Sequence, residues 1–148
     1  MRTLILGLCL LMPARALAQQ ELSADYLDMN GVALADTPET EAIPMAAHGQ
    51  MTQLTLRATV TWGTTTQVIV KCRTSASEDS GYTWIDACHW DGSYYQCKPM
   101  EWRWNSTDSA DGLLTLELRA NARYVKCRWD DPDDGTGTAT ATGTRGQP

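Results

Sequence analysis

A chain of 148 residues with 12 Lys and Arg against 18 Asp and Glu carries a formal charge of −6. That length makes one domain with a modest core. The acidic balance excludes nucleic acid as the expected partner, because a negative surface repels phosphate backbones.

The chain begins as a secretory signal peptide, residues 1–18. Met1-Arg2 is a short basic start, Thr3 to Met12 is an apolar core, and Ala16-Leu17-Ala18 is a small-residue cleavage site ahead of Gln19. The apolar run is too short to span a bilayer, so no membrane span is expected after its removal. Cleavage removes Arg2 and Arg15 and leaves 10 basic residues against 18 acidic, a charge of −8 with histidines neutral. Lys71 and Arg73, and the basic residues from Arg123 to Arg128, alternate with apolar ones. They read as strand residues and not as a patch.

Four cysteines remain, Cys72, Cys88, Cys97 and Cys127, with gaps of 16, 9 and 30 that match no zinc spacing. An even number in a short exported chain favours disulfides, and three pairings are possible. In Cys88-His-Trp-Asp-Gly-Ser-Tyr-Tyr-Gln-Cys97 the cysteines flank a Gly92-Ser93 turn symmetrically, Gly92 supplying the positive φ of a type II′ turn. Counting outward places Trp90 opposite Tyr95 and Cys88 opposite Cys97 at the close-approach sites of the ladder. Hairpin geometry therefore favours Cys88–Cys97, with Cys72–Cys127 by elimination.

Residues 19–50 hold an arm or edge strand, with Asp25 to Met29 as the strand candidate, followed by a loop bearing Pro38 and Pro44. From Met51 the two-residue period is clear. Leu54, Leu56, Ala58, Val60 and Trp62 alternate with Thr and Arg, and Val68, Val70 and Cys72 share a face opposite Lys71 and Arg73. Further strands are expected at Tyr82 to Trp90, Tyr94 to Trp104, Leu113 to Arg119 and Arg123 to Trp129, with a weak last strand in 135–143. Pro99 interrupts one of them and calls for a bulge or an edge. No amphipathic helix competes. The fold class is an antiparallel β-sandwich of seven to eight strands, a small β-barrel being the alternative, with its core in 51–144 and a flexible tail at 145–148.

Ser77-Glu-Asp-Ser-Gly-Tyr-Thr-Trp84 matches the S-x-D-x-G-x-T-W pattern of an Asp-box. Ser77 and Asp79 are expected to bond the backbone, Gly81 to take a positive φ, and Trp84, after Thr83, to pack under the turn. A sialidase propeller needs at least four four-stranded blades, which this chain cannot hold. With Val60-Thr-Trp-Gly63, Val68 to Cys72, Arg123-Tyr-Val-Lys-Cys-Arg128 and the Thr/Gly/Ala end, the pattern instead resembles small β-sandwich modules of bacteriophage virion proteins. Such modules decorate capsids or form tail fibres and adhesion tips. The resemblance implies a non-catalytic, virion-associated protein that acts through an assembly partner or self-association. An export signal and four cysteines depart from it, and keep in play an exported carbohydrate-binding module of the bacterial envelope or extracellular space, meeting a cell-surface glycan.

Catalytic constellations are sparse. His48 and His89 read as surface or strand histidines, and Glu101 with Asp86 or Asp91 as solvated strand charges rather than a glycosidase pair. In Asp130-Asp-Pro-Asp-Asp134, Pro132 occupies a ligand position and no acid stands at the twelfth place of a calcium loop. No cofactor and no metal are expected. Six Trp and five Tyr with no Phe select rings with a polar handle, suited to wet or partner-facing positions. Trp90, Tyr94 and Tyr95 at the hairpin tip, and Trp102 with Trp104 two residues apart on one strand face, are the candidate binding residues.

Overall fold

The computed structural model describes residues 20–22, 24–27, 29–45, 51–90, 92–93 and 95–146, without the side chains of residues 24, 25, 89, 90 and 95. The expected signal peptide and cleavage site, His48, Asp91 and Tyr94 lie outside the described residues. So do the side chains of His89, Trp90 and Tyr95.

The described strands, in chain order, are β1 (Gln20–Glu21), β2 (Val32–Ala33), β3 (Ile43–Pro44), β4 (Thr52–Thr61), β5 (Gln67–Ser75), β6 (Thr83–Trp84), β7 (Asp86–Trp90), β8 (Tyr95–Pro99), β9 (Glu101–Asn105), β10 (Leu113–Ala120), β11 (Tyr124–Asp130) and β12 (Thr138–Gly146). A helical turn, α1 (Ala24–Leu27), and a 3-10 turn (Leu34–Asp36) precede β3. Eight of these strands have five or more residues, in keeping with the seven to eight expected.

Two sheets pack face to face. The first runs β1-β12-β4-β10, with β2 also on β12, and the second runs β3-β11-β5, with β6 and β9 both on the far edge of β5. All of the pairings are antiparallel. The alternation of β4 and β10 puts Leu54, Leu56, Ala58 and Val60, and Leu114, Leu116 and Leu118, inside. Against them the second sheet brings Val68, Val70 and Cys72 of β5 and Val125, Cys127 and Trp129 of β11. Period-two strands with one apolar face bury it only by stacking in this way, and the result is an all-β sandwich.

Three expectations change at the ends. Where a strand is expected at Asp25 to Met29, Ala24–Leu27 is a helical turn: Leu27 and Met29 are both in the core, a spacing that a short turn lying against the sheet also permits. Residues 20–45 are more than an arm, since Leu34, Ile43 and Met45 are buried with Leu27 and Met29 and the segment adds an edge to each sheet. The core is therefore not confined to 51–144. Residues 145 and 146 are not a flexible tail, because β12 runs to Gly146, Arg145 pairs with Leu54, and the Arg145 guanidinium donates to the Pro44 carbonyl. β12 lies inside its sheet, where small Thr, Ala and Gly residues let it sit between β4 and the N-terminal strands.

Candidate functional site

β5 is the strand on which the candidate site is built. Its far edge is shared by two fragments, β6 opposite Arg73 and Thr74 and β9 opposite Gln67 to Lys71. Between them the chain leaves the sheet at Ile85, whose N–H donates to the Cys72 carbonyl, and returns at Met100, whose N–H donates to the Ile85 carbonyl. The hairpin β7-β8 is the excursion, a separate two-stranded ribbon. The single strands expected at 82–90 and 94–104 are thus each broken, at Ile85 and at Met100. Proline can follow the ladder as far as Pro99, opposite Asp86, because the ribbon ends there.

Register in the ribbon follows the turn. Cys88 pairs with Cys97 and Trp90 with Tyr95, Gly92 has φ 104°, and a disulfide joins Cys88 to Cys97 with 4.1 Å between Cα atoms. Asp86, Ala87, Cys88, Cys97, Lys98 and Pro99 are all exposed, so neither face of the ribbon root lies on a core. At about 3.3 Å per residue, five-residue strands reach roughly 17 Å outward. The second disulfide, Cys72–Cys127, joins β5 to β11 directly and is buried. Two disulfides fit an oxidising, exported environment.

Trp102 and Trp104 pair with Val70 and Val68, and so share the inner face. Both are half-buried and pack with Ile85 against the core. They close the sandwich edge, and an exposed sugar-stacking pair is not what this register makes.

The Asp-box-like loop differs in its fastenings. Gly81 has φ 73°. Ser75, outside the motif, holds the loop: its Oγ accepts from the Ser77 N–H at 2.9 Å and donates to the Ser80 carbonyl at 2.5 Å. The Tyr82 hydroxyl donates to the Glu78 carbonyl at 2.9 Å. Ser77, Asp79 and Thr83 are exposed. Trp84 does not pack under the turn; it lies opposite Arg73 on the outer face of the sheet.

On that outer face, basic residues that alternate with apolar ones along each strand come together. β11 pairs with β5 so that Arg73 faces Lys126 and Lys71 faces Arg128. Four cations therefore form one block. The Cys72–Cys127 pairing already implied it, since residues flanking two bonded cysteines on neighbouring strands must also oppose each other. Arg73 lies over Tyr82 at 5.3 Å and Trp84 at 5.6 Å, Lys126 over Tyr82 at 5.2 Å, and Arg128 over Trp84 at 5.2 Å. The order is cation, ring, cation, ring, cation. Partial burial raises the Tyr82 hydroxyl above its ordinary pKa, with Arg73 opposing, so the ring is neutral at neutral pH.

Carboxylates border this block. Glu101 pairs with Lys71 at 3.0 Å and with Arg103, and Glu39 with Arg73. The Lys71 hydrogen bond is the main cause of a Glu101 pKa below its ordinary value, burial opposing. Glu101 is committed to these cations rather than to an acid pair. Among the described residues no group of three or more His, Cys, Asp or Glu is placed to hold a metal. The acidic turn is a structural clasp: buried Asp131 accepts from Thr65 Oγ at 2.5 Å and from the Asp133 and Gly135 N–H groups. The outer face of the other sheet shows Thr59, Thr115, Thr140 and Thr142 around Arg57, in a shallow hollow of about 320 Å³ without aromatic rings. No helix among the described residues is long and apolar enough to cross a membrane.

No family model, curated protein or solved structure matches the chain.

Proposed function

We propose that the chain is a non-catalytic binding module that engages a protein assembly partner, or a second copy of itself, through the disulfide-closed ribbon. The accessory and adhesion modules of phage virions, which its strand pattern resembles, are the proposed setting. One observation carries the reading: the ribbon leaves the sandwich between two fragments of one edge, and its root is exposed on both faces. A two-stranded hairpin without a core beneath it is marginal in water. Here a disulfide supplies the constraint. A stapled ribbon loses little conformational entropy on contact, which favours a recognition element over a mobile loop. Trp90, Tyr94 and Tyr95 stand at its far end in the sequence and are the proposed contact residues.

The test is a ribbon-replaced variant in which residues 87–98 give way to Asn-Gly. Light scattering of the purified protein and co-sedimentation with particles shed by the source culture are the readouts. The intact chain is expected to self-associate or co-sediment, and the replaced one to remain folded and monomeric. Identical behaviour of the two would remove the ribbon from the function.

A further inference from the structure

We infer that the block of Lys71, Arg73, Lys126 and Arg128 on the outer face of β5 and β11 is an oxyanion site, fitted to a sulfate or carboxylate group such as an anionic glycan carries. It is separate from the ribbon reading and stands on different residues.

The first argument is electrostatic. Arg73 faces Lys126 and Lys71 faces Arg128 directly across the ladder, an arrangement in which like charges repel. The carboxylates leave that repulsion incompletely met. Lys71 and Arg73 have Glu101 and Glu39, but Arg128 stands 3.8 Å from Asp130, beyond hydrogen-bond reach, and among the described residues Lys126 has no carboxylate within ion-pair range. The least compensated positive charge is thus at Lys126, beside an Arg128 held only loosely by Asp130, in a chain whose formal charge is −6.

The second argument is preorganisation. Tyr82 and Trp84 lie between the three cations of the ladder, so the rings fix the long side chains without cancelling their charge. The Nε atoms of Arg73 and Arg128 are buried and without hydrogen-bond partners. Their side chains as a whole remain 33% and 37% exposed. The inner part of each guanidinium is therefore held beneath neighbouring groups while the rest meets solvent. Planar guanidinium beside ammonium, both held in place, is the donor set that binds oxyanions. A ligand bridging Lys126 and Arg128 along β11 would add negative charge beside both cross-strand pairs and give acceptors to the Lys126 ammonium and to the solvent-facing edge of the Arg128 guanidinium.

The shape says how the anion arrives. This is an open sheet face, not an enclosed pocket, so an anion on a chain of sugars can reach it without a mouth to enter. The experiment uses the full exported chain, with sodium sulfate, dextran sulfate and uncharged dextran as probes in calorimetry. Dextran sulfate is expected to bind and uncharged dextran not to bind. Binding by sodium sulfate as well would mean that the site takes the free ion, and dextran sulfate alone would mean that the carrier chain is needed; either supports the site. K126Q with R128Q should weaken binding by tenfold or more, while R57Q with R119Q, on the opposite sheet, should change it less than twofold. K126Q alone should leave the ligand-free melting temperature close to that of the unaltered chain, since it removes a like-charge contact with Arg73 and the Lys126–Tyr82 ring contact together; a purely structural ladder predicts a fall. No binding by either sulfate probe, equal losses from the two double variants, or a lower melting temperature with unchanged binding would overturn the inference.

Discussion

The two disulfides are alike in local geometry and opposite in setting. Each joins directly opposed residues of antiparallel strands with 4.1 Å between Cα atoms. Cys72–Cys127 lies in the core, 55 residues apart in sequence; Cys88–Cys97 lies on an exposed ribbon, 9 apart. A cross-link constrains the unfolded chain according to the loop it closes, and constrains the native state only where other contacts do not. The core bridge therefore acts chiefly on the unfolded ensemble of the sandwich. The ribbon bridge acts chiefly on the native ribbon, which has little else to keep it paired.

Removing each bridge breaks this contrast most directly. Replacing Cys72 and Cys127 together by Ala should lower unfolding free energy by about 4 kcal/mol in the loop-entropy model, read by urea unfolding. Replacing Cys88 and Cys97 by Ala should lower global stability by at least about 1.5 kcal/mol less than that. Its main effect should instead be fast hydrogen exchange throughout β7 and β8, at free energies below global unfolding. Equal global losses would mean that ribbon and sandwich unfold as one unit.

Trp84 tests the next level. A core ring would cost about 3–5 kcal/mol on truncation. Trp84 on the outer face loses ring stacking with Arg73 and Arg128 instead, so Trp84→Ala should cost about 1–2 kcal/mol by thermal unfolding and leave export intact. The smallest effect concerns Glu101, the first residue of β9 after the ribbon returns. Its folded pKa is depressed, so its contribution is present above the ordinary value of 4.5 and is lost as pH falls through the lower folded pKa. Glu101→Gln should cost about 0.5 kcal/mol at pH 7 and flatten the fall in stability below pH 4.5. A steeper acid profile in the variant would count against the Lys71–Glu101 tie.

Much of this architecture is legible in the residues, and what is missed has physical reasons. Thr52–Thr61, Gln67–Ser75 and Leu113–Ala120 follow from alternation because each buries one face, and the ribbon register follows from Gly92 and the symmetry of its cysteines. Leu27, Leu34 and Ile43 are buried from a segment with no period, since turns and two-residue pairings leave none to read. The break at Ile85 is silent because it continues an apolar pattern, and only the rivalry of β6 and β9 for one edge reveals it. Trp102 and Trp104 turn inward because β9 pairs with β5, a partner choice that single-strand periodicity does not contain. The cationic block is hidden for a similar reason. Charges that alternate along each strand become neighbours only when the strands are set side by side.

The divided edge of β5 also bears on how the protein behaves when crowded. An uninterrupted border strand offers a row of free N–H and C=O groups onto which another chain can add, the first step of fibrous aggregation. Here the border consists of a two-residue and a five-residue fragment with a ribbon projecting between them. An incoming strand meets a steric post in the middle of its path and cannot zip along the full length. The excursion thus also guards this one border against strand addition, a protection that β10, an unbroken eight-residue strand at the edge of the other sheet, does not share.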